Sequence, residues 1–131
     1  MRVLIADDQK GVGAALSALV ESCGHEVVGV AGSGLEAIQA YTRHRPDVVL
    51  MDFSMPRLSG ATACRMILSK DPAAKIIIVT AAAPAAAEAD TGAVAILSKP
   101  VELQELSAAI SEAARRSSLP QPNDTNPSST A

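Results

Sequence analysis

The sequence predicts a doubly wound α/β fold, a five-stranded parallel sheet with helices on both faces. Three observations predict it. Apolar bursts recur five times along the chain, and helix-like amphipathic segments separate them. The third burst, Val48, Val49, Leu50 and Met51, has no polar alternation. Unbroken burial of that kind suits a central parallel strand covered on both faces, and strand-helix alternation suits a sheet whose crossovers are helices.

The elements follow in order. The first strand, residues 3–6, ends at Asp7 and Asp8. In the helix after it, Val12, Leu16, Leu19 and Cys23 stand at spacings of four, three and four, and Gly24 gives a stop signal. A strand at 27–30 leads to Ser33 and Glu36, a capping-box spacing that opens a second helix with Ala37, Ile38 and Tyr41 facing inward, ended before Pro46. The third strand, 48–51, delivers Asp52, and a helix over about 59–69 follows. The fourth strand, 76–79, runs into Thr80 and Ala81. The segment from Ala81 to Gly92 favours helix through its alanines, tolerates Pro84 in a first turn, and leaves only about two turns with almost no large side chain. A fifth strand at 94–97 precedes Lys99 and Pro100, and the last helix, about 101–116, carries Leu103, Leu106 and Ile110 as its buried stripe.

At 131 residues and 48% hydrophobic, the chain suits one domain with a real core, read as residues 1–116. Residues 117–131, rich in Ser, Pro and Asn, lack the apolar content to order themselves and read as a disordered tail or a linker stump. A net charge of −3 gives no basic field for a nucleic-acid backbone, so direct DNA binding is not expected. Cys23 and Cys64 have no metal-ligand spacing and read as buried, reduced thiols. With no apolar run of signal-peptide or membrane-spanning length, the chain reads as soluble and cytoplasmic, with no membrane partner.

The chemistry stands at the carboxyl ends of the strands. The first ends in Asp7 and Asp8, the third in Asp52, the fourth in Thr80 and the fifth in Lys99, while the second offers no charge. In the strand order 2-1-3-4-5 the four equipped strands are neighbours, so their groups converge in the crevice where such sheets bind ligands. Crowded carboxylates repel unless a cation sits among them, and Mg²⁺ suits a few carboxylates and phosphate oxygens. Asp52 can attack phosphorus as a nucleophile, with Thr80, a backbone N–H and the Lys99 ammonium stabilising the phosphoryl oxygens.

These residues resemble the receiver domains of bacterial response regulators in two-component signalling. The resemblance covers roughly residues 2–115: Asp7-Asp8, the pattern D-x-x-M-P-x-x-x-G from Asp52 to Gly60, Thr80-Ala81, Gly92-Ala93 and Lys99-Pro100. It implies a flavodoxin-like (βα)5 fold in which Asp52 takes a phosphoryl group from a histidine kinase or histidine phosphotransfer protein. It implies that Asp7, Asp8, Asp52 and the backbone carbonyl of Ser54 form the Mg²⁺ site. Lys99, Thr80 and the Ala81 N–H would bind the phosphoryl group, Lys99-Pro100 would be cis, and Thr80 would turn inward. Ser54 and Ala82 would influence how long the phosphoryl group survives water.

Two features depart from the family pattern. Ile96 stands where an aromatic switch residue is usual, and Thr80 and Lys99 lie about three positions closer than is usual, close to one helical turn. Both changes fall on the face that partners read, which leads to the expectation of a mobile fourth helix acting as an order–disorder switch. The favoured function is a phosphoacceptor signalling to an unidentified downstream protein, as a monomer or a phosphorylation-dependent dimer. The alternatives are a docking module that works without phosphorylation and, weaker, an Asp-nucleophile phosphohydrolase, which would want a second Asp where Ser54 stands. His25 and His44 read as solvated surface residues, Lys10 and Arg57 as solvated charges near the crevice, and Met51, Met55 and Met66 as packing residues. Phe53 reads as packing beside the site.

Overall fold

The computed structural model describes residues 1–118. The strands are β1 (Arg2–Ala6), β2 (Glu26–Ala31), β3 (Val48–Asp52), β4 (Ile76–Thr80) and β5 (Ala95–Ser98). The helices are α1 (Lys10–Ser22), α2 (Gly34–His44), α3 (Gly60–Lys70), α4 (Ala83–Glu88) and α5 (Leu103–Ser118). All neighbouring strands are parallel, in the order β2-β1-β3-β4-β5 that the sequence predicts. Of the tail expected over residues 117–131, Ser117 and Ser118 belong to α5, and the rest lies outside the described residues.

Alternation along each strand sends successive side chains to opposite faces, which divides the core into two layers. Leu4, Val49, Met51, Ile76 and Ile78 meet Ala37 and Tyr41 of α2, Ala63, Cys64 and Ile67 of α3, and Ala86 of α4. Val3, Ile5, Val48, Leu50, Ile77 and Val79 meet Leu16 and Val20 of α1 and Leu106, Ile110 and Ala113 of α5. Both β3 and β4 are buried at every position, as unbroken apolar runs require.

Local signals set the helix ends. The Ser33 hydroxyl accepts the Glu36 N–H at 3.1 Å. The Glu36 carboxylate reaches back one residue further than a capping box requires, to the Gly32 N–H at 2.8 Å. Ser59 caps α3 in the same way, accepting the Thr62 N–H at 3.2 Å.

Four expectations are corrected. Leu103 is exposed: the chain turns through Pro100, Val101 and Glu102 before α5 begins, so Leu103 lies in the first turn and the buried stripe is Leu106, Ile110 and Ala113. Met66 is exposed because Ala63, Cys64 and Ile67 form the inward face of α3. Cys23 is half-exposed as the C-cap of α1, whereas Cys64 is buried; both are free thiols. His25 and His44 are half-buried, and the His25 Nδ1 lies 3.0 Å from the Met1 amino nitrogen.

The start of α3 fixes the geometry beneath Asp52. The Gly60 N–H donates to the Phe53 carbonyl at 2.8 Å. A Cβ on Gly60 would lie 1.7 Å from the Asp52 carbonyl oxygen, so no larger residue fits without moving backbone. Gly60→Ala is expected to cost about 2–3 kcal/mol in urea denaturation, in the range of overpacked sites. Gly11→Ala, whose Cβ meets open space, is expected to gain about 0.4–1 kcal/mol.

Candidate functional site

A cleft of about 280 Å³ opens at the carboxyl edge of the sheet, lined by Asp8, Gln9, Asp52, Ser54, Thr80, Ala81, Ala82 and Lys99. The strand order puts Asp52 at the end of the middle strand, flanked by the ends of β1 and β4. Asp7, Asp52 and Thr80 are buried, at 3%, 8% and 3% exposure, while Asp8 is open to solvent. The carboxylates of Asp7, Asp8 and Asp52 offer ligand atoms all within 4.8 Å of one another.

One cation faces them. The Lys99 Nζ lies 2.8 Å from Asp7 Oδ2 and 3.6 Å from Asp52 Oδ1. The other Asp7 oxygen accepts the Gln9 N–H at 2.9 Å, so both oxygens of that carboxylate have partners. Burial pushes the Asp52 carboxyl above its ordinary pKa; Lys99 opposes the shift, Asp7 and Asp8 add to it, and the Ser54 backbone N–H opposes it again. The acid therefore sits among like charges that Lys99 offsets in part.

The remaining expected residues occupy defined places. The Thr80 Oγ1 accepts the Ala82 N–H at 3.0 Å, and the Thr80 carbonyl accepts the Lys99 N–H at 2.9 Å. The Lys99–Pro100 peptide is cis, as the sequence resemblance implies. Ile96 stands apart from the cleft, half-buried against the core layer that α2, α3 and α4 cover, with Phe53 packed on the same layer. Lys10 and Arg57 are exposed. Gln9 is the contributor that sequence reasoning missed. Its signal was the Asp at position 7, since Asp side chains commonly accept the N–H two residues on.

Residues 3–111 match the family described as the response regulator receiver domain. The chain belongs to that family. The receiver is 39% identical over 118 residues to the transcriptional regulatory protein PdtaR of Mycobacterium tuberculosis, a match covering 88% of this chain and 57% of that protein. It is 32% identical to the chemotaxis protein CheY of Listeria monocytogenes, covering 88% of this chain and 99% of CheY. Its fold superposes with a TM-score of 0.80 on the response regulator TrrA of Thermotoga maritima, solved in complex with Mg²⁺ and BeF, at 26% identity over 86% of this chain and 97% of that one. Receiver domains are signalling modules of two-component systems that are phosphorylated on Asp and bind Mg²⁺ at an acidic pocket, and the Asp7, Asp8 and Asp52 cluster fits such an ion. Among the described residues, no helix is long and apolar enough to cross a membrane.

The raised Asp52 pKa fixes the sign of a pH effect. A carboxyl that holds its proton more tightly when folded favours the fold at low pH, and that contribution is lost as pH rises through the raised value. In chelator at neutral pH, Asp52→Asn is expected to melt about 2–6 °C above the wild type, a gap that closes as the pH is lowered. A calorimetric melting series across pH checks both the gap and its closure.

Proposed function

We propose that Asp52 of this receiver accepts a phosphoryl group from the phosphohistidine of a histidine kinase or histidine phosphotransfer protein, and that the phosphorylated form signals by altered docking to a downstream protein in the cytoplasm. The observation that carries the reading is the placement of a buried carboxylate, two more carboxylates and a single ammonium around one cleft. In the transfer, an Asp52 carboxylate oxygen forms a bond to phosphorus. The phosphorus–nitrogen bond breaks, its electron pair stays on the imidazole, and an acyl phosphate results.

Each neighbour has a role in that step. Asp8, Asp52 and the Ser54 backbone carbonyl would hold Mg²⁺, and Asp7, whose two oxygens are engaged, would contribute through water and by aiming Lys99. Bound Mg²⁺ supplies positive charge against the phosphoryl oxygens. The Lys99 ammonium, already 3.6 Å from Asp52 Oδ1, neutralises a further oxygen. The Ala81 N–H and the Thr80 hydroxyl donate to the same group. Turning Thr80 inward draws its Oγ1 from Ala82, the N-cap of α4, so the chemistry bears directly on the start of that helix. Ser54 and Ala82, both exposed on the cleft rim, regulate the approach of the water that hydrolyses the acyl phosphate.

The test uses intact-mass spectrometry after incubation with Mg²⁺ and phosphoramidate, a small phosphodonor with a phosphorus–nitrogen bond. The wild type is expected to gain one phosphoryl mass. Asp52→Asn is expected to gain none, and Lys99→Ala to gain the phosphoryl mass more slowly than the wild type. A folded wild type that stays unmodified, with this donor and with a phosphorylated phosphotransfer domain, would favour the phosphorylation-independent docking module. The short α4 and Ile96 are the features that speak for that second reading.

A further inference from the structure

Helix α4 has few means of holding its own place. It is six residues long, Ala83–Glu88, lacks a side-chain cap, and buries only Ala86. The connection that follows it, residues 89–92, is held instead by α3. The Arg65 guanidinium donates to the Ala89 carbonyl at 3.1 Å, and the Cys64 thiol donates to the Thr91 carbonyl at 3.5 Å. Leu68 covers Gly92, whose φ of +85° suits glycine, so closely that a Cβ there would come within 2.8 Å of Leu68 Cδ1. Asp90 also has a positive φ of 53°, so the stretch gripped by α3 is sharply kinked.

Gly60, Cys64 and Leu68 lie four residues apart on one face of α3. The first of them rests on the Asp52 carbonyl and the other two rest on the α4–β5 connection. One rigid helix thus touches the backbone of the acceptor residue at its start and the output segment along its length.

We infer that α3 is the element that couples Asp52 to the α4–β5 connection, through the Arg65 and Cys64 contacts, in place of a relay through an aromatic side chain at Ile96. The inference rests on the phosphoacceptor reading of Asp52. Displacement of the β3–α3 loop on phosphorylation moves α3, and α3 carries Ala89 and Thr91 with it. Ile96 packs on the core layer that includes Cys64, Ile67 and Ala86, an aliphatic residue on the strand that the connection leads into.

Amide hydrogen exchange read by NMR, with Mg²⁺ and with or without beryllofluoride, tests the coupling in wild type, Arg65→Ala and Lys70→Ala. Lys70 lies on α3 beyond the grip and is exposed, so it controls for charge loss on the helix. In Arg65→Ala without beryllofluoride, exchange at residues 89–93 is expected to quicken on the order of fivefold to tenfold, as loss of one hydrogen bond would give. On adding beryllofluoride, Arg65→Ala is expected to keep the wild-type shifts at Asp8, Thr80 and Lys99 but to lose most of the response at residues 89–93. Lys70→Ala is expected to behave as wild type. Unchanged exchange and an undiminished response in Arg65→Ala, with the cleft shifts intact, would overturn the coupling alone. Absence of cleft shifts in the wild type would overturn the acceptor reading and the coupling together.

Discussion

Like charge held in one crevice is the constraint on which this structure depends. Three carboxylates share a space smaller than 5 Å across, two of them buried, and among the described residues the Lys99 ammonium pairs with Asp7 and Asp52. The fold tolerates this because the rest of the sheet is so thoroughly apolar. Both β3 and β4 are buried throughout, so Asp52 and Thr80 are held at the ends of strands that have nowhere else to lie. Like charge concentrated at one edge suits the site to a cation, whose charge would offset that of the carboxylates.

Backbone contacts tie the cleft to its surroundings on two sides. On one side of the cleft, Thr80 ties β4 to Ala82 and so to the first turn of α4. On the other, Gly60 lets α3 sit directly on the Asp52 backbone. Helix α4 is short, built almost wholly of alanine, and buries only Ala86. The same composition that shortened the helix leaves it with Ala86 as its buried anchor. The half-buried Ile96 contributes aliphatic bulk to the layer covered by α2, α3 and α4.

Most of the architecture was legible in the sequence because its signals were strong and local. Five apolar bursts gave five strands within one or two residues of their observed bounds, and Ser33 and Ser59 cap α2 and α3. The acidic residues, Thr80 and Lys99 were legible as a set because parallel topology brings strand ends together. What escaped depended on tertiary geometry. Leu103 matched the helical stripe of α5, but the turn through Pro100 delayed the helix and left it outside the packed face. Gln9 contributes a backbone N–H, which side-chain chemistry does not advertise. The grip of Cys64 and Arg65 on residues 89–92 joins positions more than twenty residues apart, and no periodicity within either segment encodes it.

The most direct measurement of the central claim is a crystal structure of the receiver grown with Mg²⁺ and beryllofluoride. An acceptor site at Asp52 requires beryllium bonded to an Asp52 carboxylate oxygen, Mg²⁺ held by Asp8, Asp52 and the Ser54 carbonyl, and Lys99 and Thr80 turned onto the fluorines. Beryllofluoride absent from Asp52 in a crystal whose Mg²⁺ site is filled would contradict it.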